Sequence, residues 1–423
     1  MYRIVQLCDS KFRDSVGHAL LKHNLLNSIE SEIFTVSFDL AFQAVELLKP
    51  HVLVLNHAFG KRNRKLADYV KRQGGLVTVA FSEGRPNNSY QEDWYVSQSD
   101  PRYCDLFLSW NDTIASKITN VPVESVGCPR FDIYQEPYKQ LINTRERFCE
   151  RYNINPNKKI IGFTSSFPQS KFAIRNQQFN LSDWVDLKVS TIKGRENPTE
   201  FAQNEYQGLQ EFRFWIRSVM HEYGDDFEYV VKPHPMCEQG EWDKFAADTG
   251  IHLIKADYIF NTLNAVDLLI ARADCITHCD AWLLNKNSIH CMIGDVGQSG
   301  AGQEATEYGY GKAYTHNELM LLIDYYFSNP EQPETNEYLD KYGFTVQNSS
   351  QKCADAIVNL IKDRNPIVND ILLSNKIQMN QLLQKHDIEH FVPKVDFASH
   401  FGKASTRYAI NEWINKIKQL EAK

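Results

Sequence analysis

The chain has 423 residues, of which 43% are hydrophobic and 23% charged, and this length and balance suit two globular domains. Its net charge of −7 provides no basic excess to neutralise phosphates, so nucleic acid is excluded as the main partner. A transmembrane helix needs about 18 consecutive apolar residues, and the sequence has no such run.

The first third of the chain alternates strand and helix patterns. His51–Asn56 (HVLVLN) is a near-continuous apolar run, which is typical of a parallel strand buried on both faces. Strands separated by helices of about ten to fifteen residues indicate βαβ units in a doubly wound sheet. The predicted strands are Arg3–Cys8, Glu32–Ser37, His51–Asn56, Leu76–Phe81, Leu106–Ser109 and Val123–Val126, and the predicted helices are Phe12–Ser28, Phe38–Leu48 and Lys61–Arg72.

The second half of the chain repeats this alternation. A polar helix around Tyr138–Tyr152 leads to the Asn-Pro-Asn turn at 155–157, where we place a domain linker. A long irregular insertion at 167–198 has the length of a functional loop. The predicted strands are Lys159–Phe163, Tyr229–Val231, His252–Ile254, Asp267–Ala271 and Ser288–Met292. We therefore expect α/β domains at 1–155 and 156–365 and a helical extension at 366–423.

The last predicted helix, Ala404–Lys423, has one apolar face. The face is formed by Ile410, Trp413, Ile414, Ile417 and Leu420. Such a face either lies on a membrane surface or packs across a domain. We expect packing, with peripheral membrane contact as the alternative.

The segment Tyr229–Pro235 (YVVKPHP) ends a buried strand in a turn that two prolines make rigid. Lys232 and His234 therefore lie at the carboxyl end of a strand, where ligands of open α/β sheets bind. A cation and an imidazole there suit a nucleotide phosphate, because they offset charge that develops on a leaving group. We predict Lys232 and Pro235 as donor-binding residues and His234 as a catalytic residue; a turn with an incidental histidine is the alternative.

A carboxylate follows the strand Leu76–Phe81 in the string Phe-Ser-Glu-Gly at 81–84. The glycine permits an unusual turn, and the strand end would hold Glu83 at the cleft. Glu83 is therefore our candidate for a general base on an acceptor hydroxyl. The alternative is a solvated glutamate in a loop.

Three other strand ends carry candidate ligand-binding residues. Arg130, in the string Gly-Cys-Pro-Arg-Phe-Asp at 127–132, either holds a carboxylate or phosphate in bidentate fashion or pairs with Asp132. Small hydroxyl residues at such turns commonly receive phosphate. The predicted donor-binding residues of this kind are Thr164, Ser165, Ser166 and Thr277, together with His278 beside Thr277. N-capping of a helix by Thr277 is the simpler alternative for the last site.

The cysteines and a glycine-rich segment give weaker evidence of a metal or phosphate site. Cys275, His278, Cys279, His290 and Cys291 lie close in sequence, but their spacing matches no usual zinc site, so we expect no metal. The glycine-rich segment at 294–302 lacks the spacing of a phosphate-binding loop. The chain has nine cysteines and begins with a buried strand instead of a signal peptide, which predicts reduced thiols in a cytoplasm.

Taken together, these segments resemble bacterial surface carbohydrate biosynthesis proteins, which are related to capsule and lipopolysaccharide transferases that use CMP-Kdo and, more distantly, to bacterial sialyltransferases. The matching strings are SEGRPN (82–87), VGCPRFD (126–132), IIGFTSSF (160–167), YVVKPHP (229–235) and DLLIARADCITHCDAWLLNK (267–286). The resemblance implies a GT-B fold, in which two Rossmann-type domains face each other across a cleft. It also implies that the His-Pro pair contacts the nucleotide phosphate and that an acidic motif supplies the base.

Two positions depart from the pattern of these families. The acidic motif reads Ser-Glu-Gly at 82–84, and the Ser/Thr pair expected near the nucleotide reads Thr-His at 277–278. Some related Kdo transferases retain the anomeric configuration through a carboxylate nucleophile. The candidates for that role are Asp183, Asp186 and Glu205.

The sequence therefore predicts a cytoplasmic, metal-independent glycosyltransferase, which works in the cytoplasm or at the inner face of the inner membrane. Its donor would be a CMP-linked acidic sugar (Kdo or a nonulosonate), and its acceptor a bacterial surface polysaccharide or a lipid-linked precursor. No cofactor beyond this donor is expected. The alternatives are a CDP-glycerol-type polyol-phosphate transferase, a GT-B-fold sugar-nucleotide epimerase and a non-catalytic scaffold.

Overall fold

The computed structural model describes residues 1–58, 60–81, 99–174, 198–234, 237, 239–273, 275–294, 304–330, 334–391 and 406–422. Two predicted site residues, Glu83 and Pro235, lie outside these ranges. The candidate nucleophiles Asp183 and Asp186 also lie outside them, as does the glycine-rich segment beyond residue 294.

In the described part of the first half, six parallel strands form one sheet in the order β2-β1-β3-β4-β5-β6. The strands are β1 (Tyr2–Cys8), β2 (Ser31–Ser37), β3 (Val52–Leu55), β4 (Leu76–Val79), β5 (Leu106–Ser109) and β6 (Val123–Ser125). The helices between them are α1 (Lys11–Ser28), α2 (Ala41–Leu48), α3 (Gly60–Arg72) and α4 (Asp112–Ala115). The central strands β3, β4 and β5 are buried along their whole length, as apolar runs in a doubly wound sheet require. The predicted strands of this half are confirmed.

Helix α1 packs closely against the turn that follows β6. A Cβ atom added at Gly17 of α1 would lie 2.8 Å from the backbone nitrogen of Arg130 and 2.9 Å from Cε1 of Phe81. Only glycine permits such an approach, because any side chain would displace one of the two neighbours. The first turns of α1 are thereby held beside Arg130.

The helix predicted around Tyr138–Tyr152 is shorter in the structure. A 3₁₀ turn occupies Tyr138–Leu141, and the chain is extended at Ile142 before helix α5 (Arg145–Tyr152) begins. The hydroxyl of Thr144 accepts a hydrogen bond from the Arg147 N–H and so caps α5. The predicted start of the helix near Tyr138 was wrong, because the cap at Thr144 favours a helix that begins after that residue.

The described second half contains another parallel sheet of six strands, in the order β12-β11-β10-β7-β8-β9. The strands are β7 (Lys159–Ser165), β8 (Phe227–Pro233), β9 (His252–Leu253), β10 (Leu268–Arg272), β11 (Asn287–Cys291) and β12 (Gly311–Ala313). The helices are α6 (Ser170–Ile174), α7 (Pro198–Tyr223), α8 (Gln239–Thr249), α9 (Ile259–Ala265), α10 (Thr277–Trp282) and α11 (His316–Ser328). The five predicted strands are confirmed, whereas β12 was not anticipated.

Four further helices complete the described chain, and the last three contact the first half. The helices are α12 (Asn336–Lys341), α13 (Ser349–Arg364), α14 (Leu373–Phe391) and α15 (Arg407–Glu421). Asn24 of α1 donates a hydrogen bond of 2.9 Å to the Ser350 hydroxyl of α13. Met379 of α14 belongs to the buried apolar cluster beneath the first sheet. Helix α13, which the predicted 156–365 domain includes, thus packs against α1 of the first half.

Helix α15 buries its apolar face in protein. Ile410, Trp413, Ile414 and Ile417 are buried, and the Trp413 indole N–H donates a hydrogen bond of 2.7 Å to the Tyr258 hydroxyl. This confirms the expected packing across a domain. Among the described residues, no helix is both long enough and apolar enough to cross a membrane.

Candidate active site

A cavity of about 300 Å³ lies where the carboxyl ends of strands from the two sheets face each other. The first half contributes the segment after β1 and the turn after β6, and the second contributes the ends of β7 and β8 and the segment before α10. The predicted residues that line it are Arg130, Thr164, Ser165, Ser166, Lys232, His234 and Thr277. Side chains that are distant in sequence meet here because parallel strands present their carboxyl ends at one edge of each sheet.

Lys232 supplies a buried cation to the cavity wall. Its Nζ donates a hydrogen bond of 2.6 Å to the backbone carbonyl of Asp257. Burial lowers the pKa of the Lys232 ammonium to about 8, although the nearby Asp257 carboxylate opposes this shift. The side chain therefore remains mostly protonated at neutral pH and can receive an anion.

The backbone around His234 is fixed to the neighbouring strand. The His234 N–H donates a hydrogen bond of 2.9 Å to the carbonyl of Ser165, and the Cys237 N–H donates one of 2.9 Å to the carbonyl of His234. The first bond continues the β7–β8 pairing beyond the end of the sheet, and the second closes a turn after His234. They hold the imidazole at the cavity wall next to Ser165 and Ser166.

Hydroxyl and thiol groups form a second part of this wall. The hydroxyl oxygens of Thr164 and Thr277 are 2.9 Å apart, and the Cys275 sulfur is 3.0 Å from the Thr277 hydroxyl. The N-cap of α10 is Ile276 and has no side-chain capping bond, so the N-capping alternative for Thr277 was wrong. The Thr277 hydroxyl instead joins the loop after β10 to the end of β7.

Arg130 does not pair with Asp132, so that alternative is also wrong. The Asp132 carboxylate accepts hydrogen bonds of 3.0 and 2.8 Å from the N–H groups of Ser349 and Ser350 at the start of α13. Arg130 instead points towards Asp280, with Nη2 at 3.8 Å from Oδ2. Burial disfavours the guanidinium charge, but the Asp280 carboxylate, together with Cys128 and Tyr134, raises the pKa of Arg130 overall.

The structure does not bring His278 to the cavity, in contrast to the prediction. Its ring is fully buried, with Nδ1 at 2.8 Å from the Ser288 hydroxyl and Nε2 at 3.1 Å from the carbonyl of Arg272. It also stacks on His290 at a ring-centroid distance of 3.8 Å. Successive residues of a helix point about 100° apart, so when Thr277 faces the cleft, His278 is directed into the core.

Two of the cysteines near His278 are also buried away from the cavity, whereas Cys275 lines it. Cys279 and Cys291 are buried in the core, and Cys275 is only partly exposed. Within the described residues, no three His, Cys, Asp or Glu side chains are arranged to hold a metal ion.

Glu205, one of the candidate nucleophiles, forms a buried ion pair beneath the cavity wall. Its Oε1 is 2.5 Å from Nη1 of Arg272, and the same Nη1 donates a hydrogen bond of 3.0 Å to the carbonyl of Ser166. Glu205 does not line the cavity. The pair supports the turn after β7, which gives Glu205 a structural task in place of the predicted chemical one.

Sequence reasoning missed the cavity residues of the first half. Ser10, Phe12 and Arg13 line the cavity from the segment after β1 and the start of α1, and Tyr134 lines it beside Arg130. The Tyr134 hydroxyl donates a hydrogen bond of 2.7 Å to Asp280, and burial together with that carboxylate raises its pKa well above the usual value. The one available signal was position, since Ser10 and Arg13 follow a buried strand as the other motifs do.

No known protein family matches the sequence. No curated protein matches it either. Solved structures do share its fold. A histidine-to-asparagine variant of the wall teichoic acid polymerase TagF is 12% identical, with a TM-score of 0.53, covering 86% of this chain and 89% of that one. The S. aureus MnaA-UDP co-structure is 12% identical, with a TM-score of 0.51, covering 88% and 99%. A UDP-N-acetylglucosamine 2-epimerase is 11% identical, with a TM-score of 0.51 and the same coverage.

These likenesses show the fold alone. The chain has a two-domain α/β architecture of the GT-B type, with two parallel sheets facing a common cleft, as the sequence predicted.

Proposed function

We propose that the cleft binds a nucleotide-activated sugar and transfers the sugar to a hydroxyl group of a glycan acceptor. The observation that carries this proposal is the convergence of Lys232, His234 and Arg130 with the Thr164 and Thr277 hydroxyls on one cavity between the sheets. Cations and hydroxyl donors at strand ends are suited to phosphate, which they position without a metal ion.

The chemistry follows from how charge moves in such a transfer. The bond between the anomeric carbon and the phosphate oxygen breaks, and the acceptor oxygen forms the new bond to that carbon. The departing nucleotide gains one negative charge, which Lys232 and His234 are placed to stabilise. The acceptor proton passes to a base, for which Glu83 stays the candidate by sequence alone.

The donor that we propose is a CMP-linked acidic sugar, Kdo or a nonulosonate. Lys232, Ser165, Ser166 and Thr277 would hold its phosphate from the second half, and Arg130 would approach its second acidic group from the first. The acceptor would be a surface polysaccharide or a lipid-linked glycan. The resemblance of the strand-end motifs to CMP-Kdo transferases supports this choice.

A thermal-shift panel tests the proposal first. We expect CMP at millimolar concentration to raise the melting temperature more than UMP, and CDP more than UDP, GDP or ADP, because a ligand that binds only the folded state stabilises it. His234→Ala should reduce transfer from a CMP-sugar by about a hundredfold or more while the chain stays folded, since one group that stabilises developing charge is lost.

The matched control for this substitution is His221→Ala, which removes an exposed histidine of α7. The control should retain wild-type transfer and nucleotide stabilisation. Wild-type turnover in His234→Ala would contradict the catalytic role of His234. If no nucleotide of the panel raised the melting temperature, a non-catalytic scaffold would be favoured.

A second candidate is polyol-phosphate transfer from a CDP-linked donor. TagF, which shares the fold, was solved after a soak with CDPG, and two arginines with one lysine at the cavity match the charge of a diphosphate. Phosphorus in the product, detected by mass spectrometry, would separate this reaction from glycoside formation. Conversion of UDP-N-acetylglucosamine without an acceptor, followed by NMR, would instead reveal epimerisation.

A further inference from the structure

Arg130 is a buried cation without a hydrogen-bond partner among the described residues. Its side chain is 10% exposed, and Nη2 is buried at 3.8 Å from the nearest carboxylate oxygen, Oδ2 of Asp280. The guanidinium lies 4.5 Å from the Phe131 ring centroid and 5.9 Å from that of Trp110, which restrict its position. An arginine has five N–H donors, and unpaired buried donors cost free energy. The cavity that Arg130 lines is therefore the place where its donors can find a partner.

Arg13 brings a second guanidinium to the same wall. Its Nε and Nη2 bind the Asp14 carboxylate at 2.6 and 2.7 Å, and Nη2 also contacts Asp9 at 3.1 Å. Its Nη1 makes no hydrogen bond to the described residues. These carboxylates fix the orientation of Arg13 and keep it charged, so the Nη1 donors remain for a ligand.

The N-terminus of α1 lies at this wall as well. Ser10 and Phe12 line the cavity, and the Ser10 side chain makes no capping hydrogen bond to the 18-residue helix. The Ser10 N–H is instead held by the Asp14 carboxylate at 3.1 Å. The close contact of Gly17 with the Arg130 backbone holds α1 against the turn that carries Arg130, and the positive end of the helix dipole lies at the cavity that Arg130 also lines.

These groups line the cavity from the first half, whereas Lys232 and His234 line it from the second. An anion there would accept hydrogen bonds from the unused donors. The carboxylates in the neighbourhood are already engaged, since Asp280 accepts from the Tyr134 hydroxyl and Asp14 binds Arg13. Nη2 of Arg130 and Nη1 of Arg13 therefore have no hydrogen bond to the described residues, while Asp9, Asp14 and Asp280 offset the charge of the two guanidiniums.

We propose that Arg13, Arg130 and the N-terminus of α1 form a second anion subsite, which receives the second acidic group of the substrate. That group is either the second phosphate of a nucleoside diphosphate or the carboxylate of an acidic sugar. The inference rests on the proposed function, because it assumes that the first phosphate binds at Lys232 and His234. The subsite makes the enzyme select donors with two anionic groups over nucleoside monophosphates.

Calorimetric titration tests the subsite with CMP, CDP and a CMP-linked nonulosonate, and with UMP and UDP as the uridine pair. We expect the dissociation constant of at least one ligand with two acidic groups to be lower than that of the monophosphate by about tenfold or more, as an added charge-assisted contact predicts. A gain for CDP or UDP identifies a phosphate, and a gain for the nonulosonate identifies a carboxylate. Arg130→Met and Arg13→Met should each remove most of the gain.

The matched control is Arg102→Met, which removes an exposed arginine paired with Asp100 in the first half; it should keep the full gain. Circular dichroism and melting temperature verify that each variant is folded. Wild-type binding of CMP without any gain, or a gain that survives both substitutions, overturns the subsite alone. Failure of the wild type to bind any of these nucleotides overturns the proposed function and the subsite with it.

Discussion

At the scale of single residues, burial lowers the pKa of Lys232 in the candidate site. The ammonium is removed from water and retains one hydrogen bond to a backbone carbonyl, so its charged form is less favoured than in solution. An incoming phosphate would restore the lost stabilisation and raise the pKa of Lys232 again. Proton uptake and nucleotide binding should therefore be coupled.

We expect nucleotide affinity to fall as pH rises through about 8, because Lys232 loses the proton that an anion needs. The loss should reach about tenfold once the ammonium is neutral. The dissociation constant of CMP, measured by calorimetry from about pH 7 to 10, gives the profile. A flat profile in the wild type would contradict the assignment.

The matched variants for this profile are Lys232→Met and Lys244→Met. Lys232→Met should abolish the inflection, whereas Lys244, which is exposed and paired with Glu241, should leave it unchanged. Lys232→Met should also fold. A lysine whose folded pKa is lowered binds its proton more weakly in the folded chain, so it opposes folding below about pH 8.

At the scale of elements, the turn after β6 holds a distant helix. Asp132 is buried and accepts two backbone N–H bonds from the first turn of α13, across more than two hundred residues of sequence. Both N–H groups are unsatisfied within the helix itself, so the carboxylate acts as a cap supplied by another segment. The same turn carries Arg130, and the cap therefore couples the cavity wall to α13.

Asp132→Ala should lower the free energy of unfolding by about 1–3 kcal/mol, because two buried N–H groups lose their acceptor. Urea denaturation followed by circular dichroism measures the change. Asp355→Ala, on the exposed face of α13, is the control and should alter stability by less than about 0.5 kcal/mol. Equal effects of the two substitutions would show that the cap contributes nothing.

At the scale of the whole molecule, both halves share one apolar core. The cluster contains Trp110 and Phe131 from the first half, Phe260 and Trp282 from the second, and Trp413 from α15. A polar bridge accompanies it, because the Tyr258 hydroxyl accepts from the Trp413 indole and lies 3.0 Å from the Ser15 hydroxyl of α1. Tyr258 also immediately precedes α9, whose first residues line the cavity.

Tyr258→Phe should destabilise the chain by about 1–2 kcal/mol, since the buried indole N–H of Trp413 loses its acceptor while the packing of the ring is kept. The melting temperature and the urea midpoint measure this loss. Tyr314→Phe removes a hydroxyl from a side chain that is 60% exposed, and it should leave the stability unchanged. If Tyr258→Phe also left the stability unchanged, the hydrogen bonds of Tyr258 would contribute nothing to it.

The sequence by itself determined the two parallel sheets and the strand ends at which most of the cavity residues lie. Both are local properties: apolar runs of four to seven residues mark buried strands, and a motif that follows such a strand must lie at its carboxyl end. Lys232, His234 and Thr277 were found in this way.

Only the tertiary structure decided which side chains meet. Arg13 carries no special motif and enters the cavity because Gly17 lets α1 approach Arg130. His278 turns into the core because the helix that presents Thr277 rotates its neighbour away. Asp132 caps α13 instead of pairing with Arg130, since a distant helix end supplies two better donors. Contacts between segments far apart in sequence depend on packing, which local patterns do not encode.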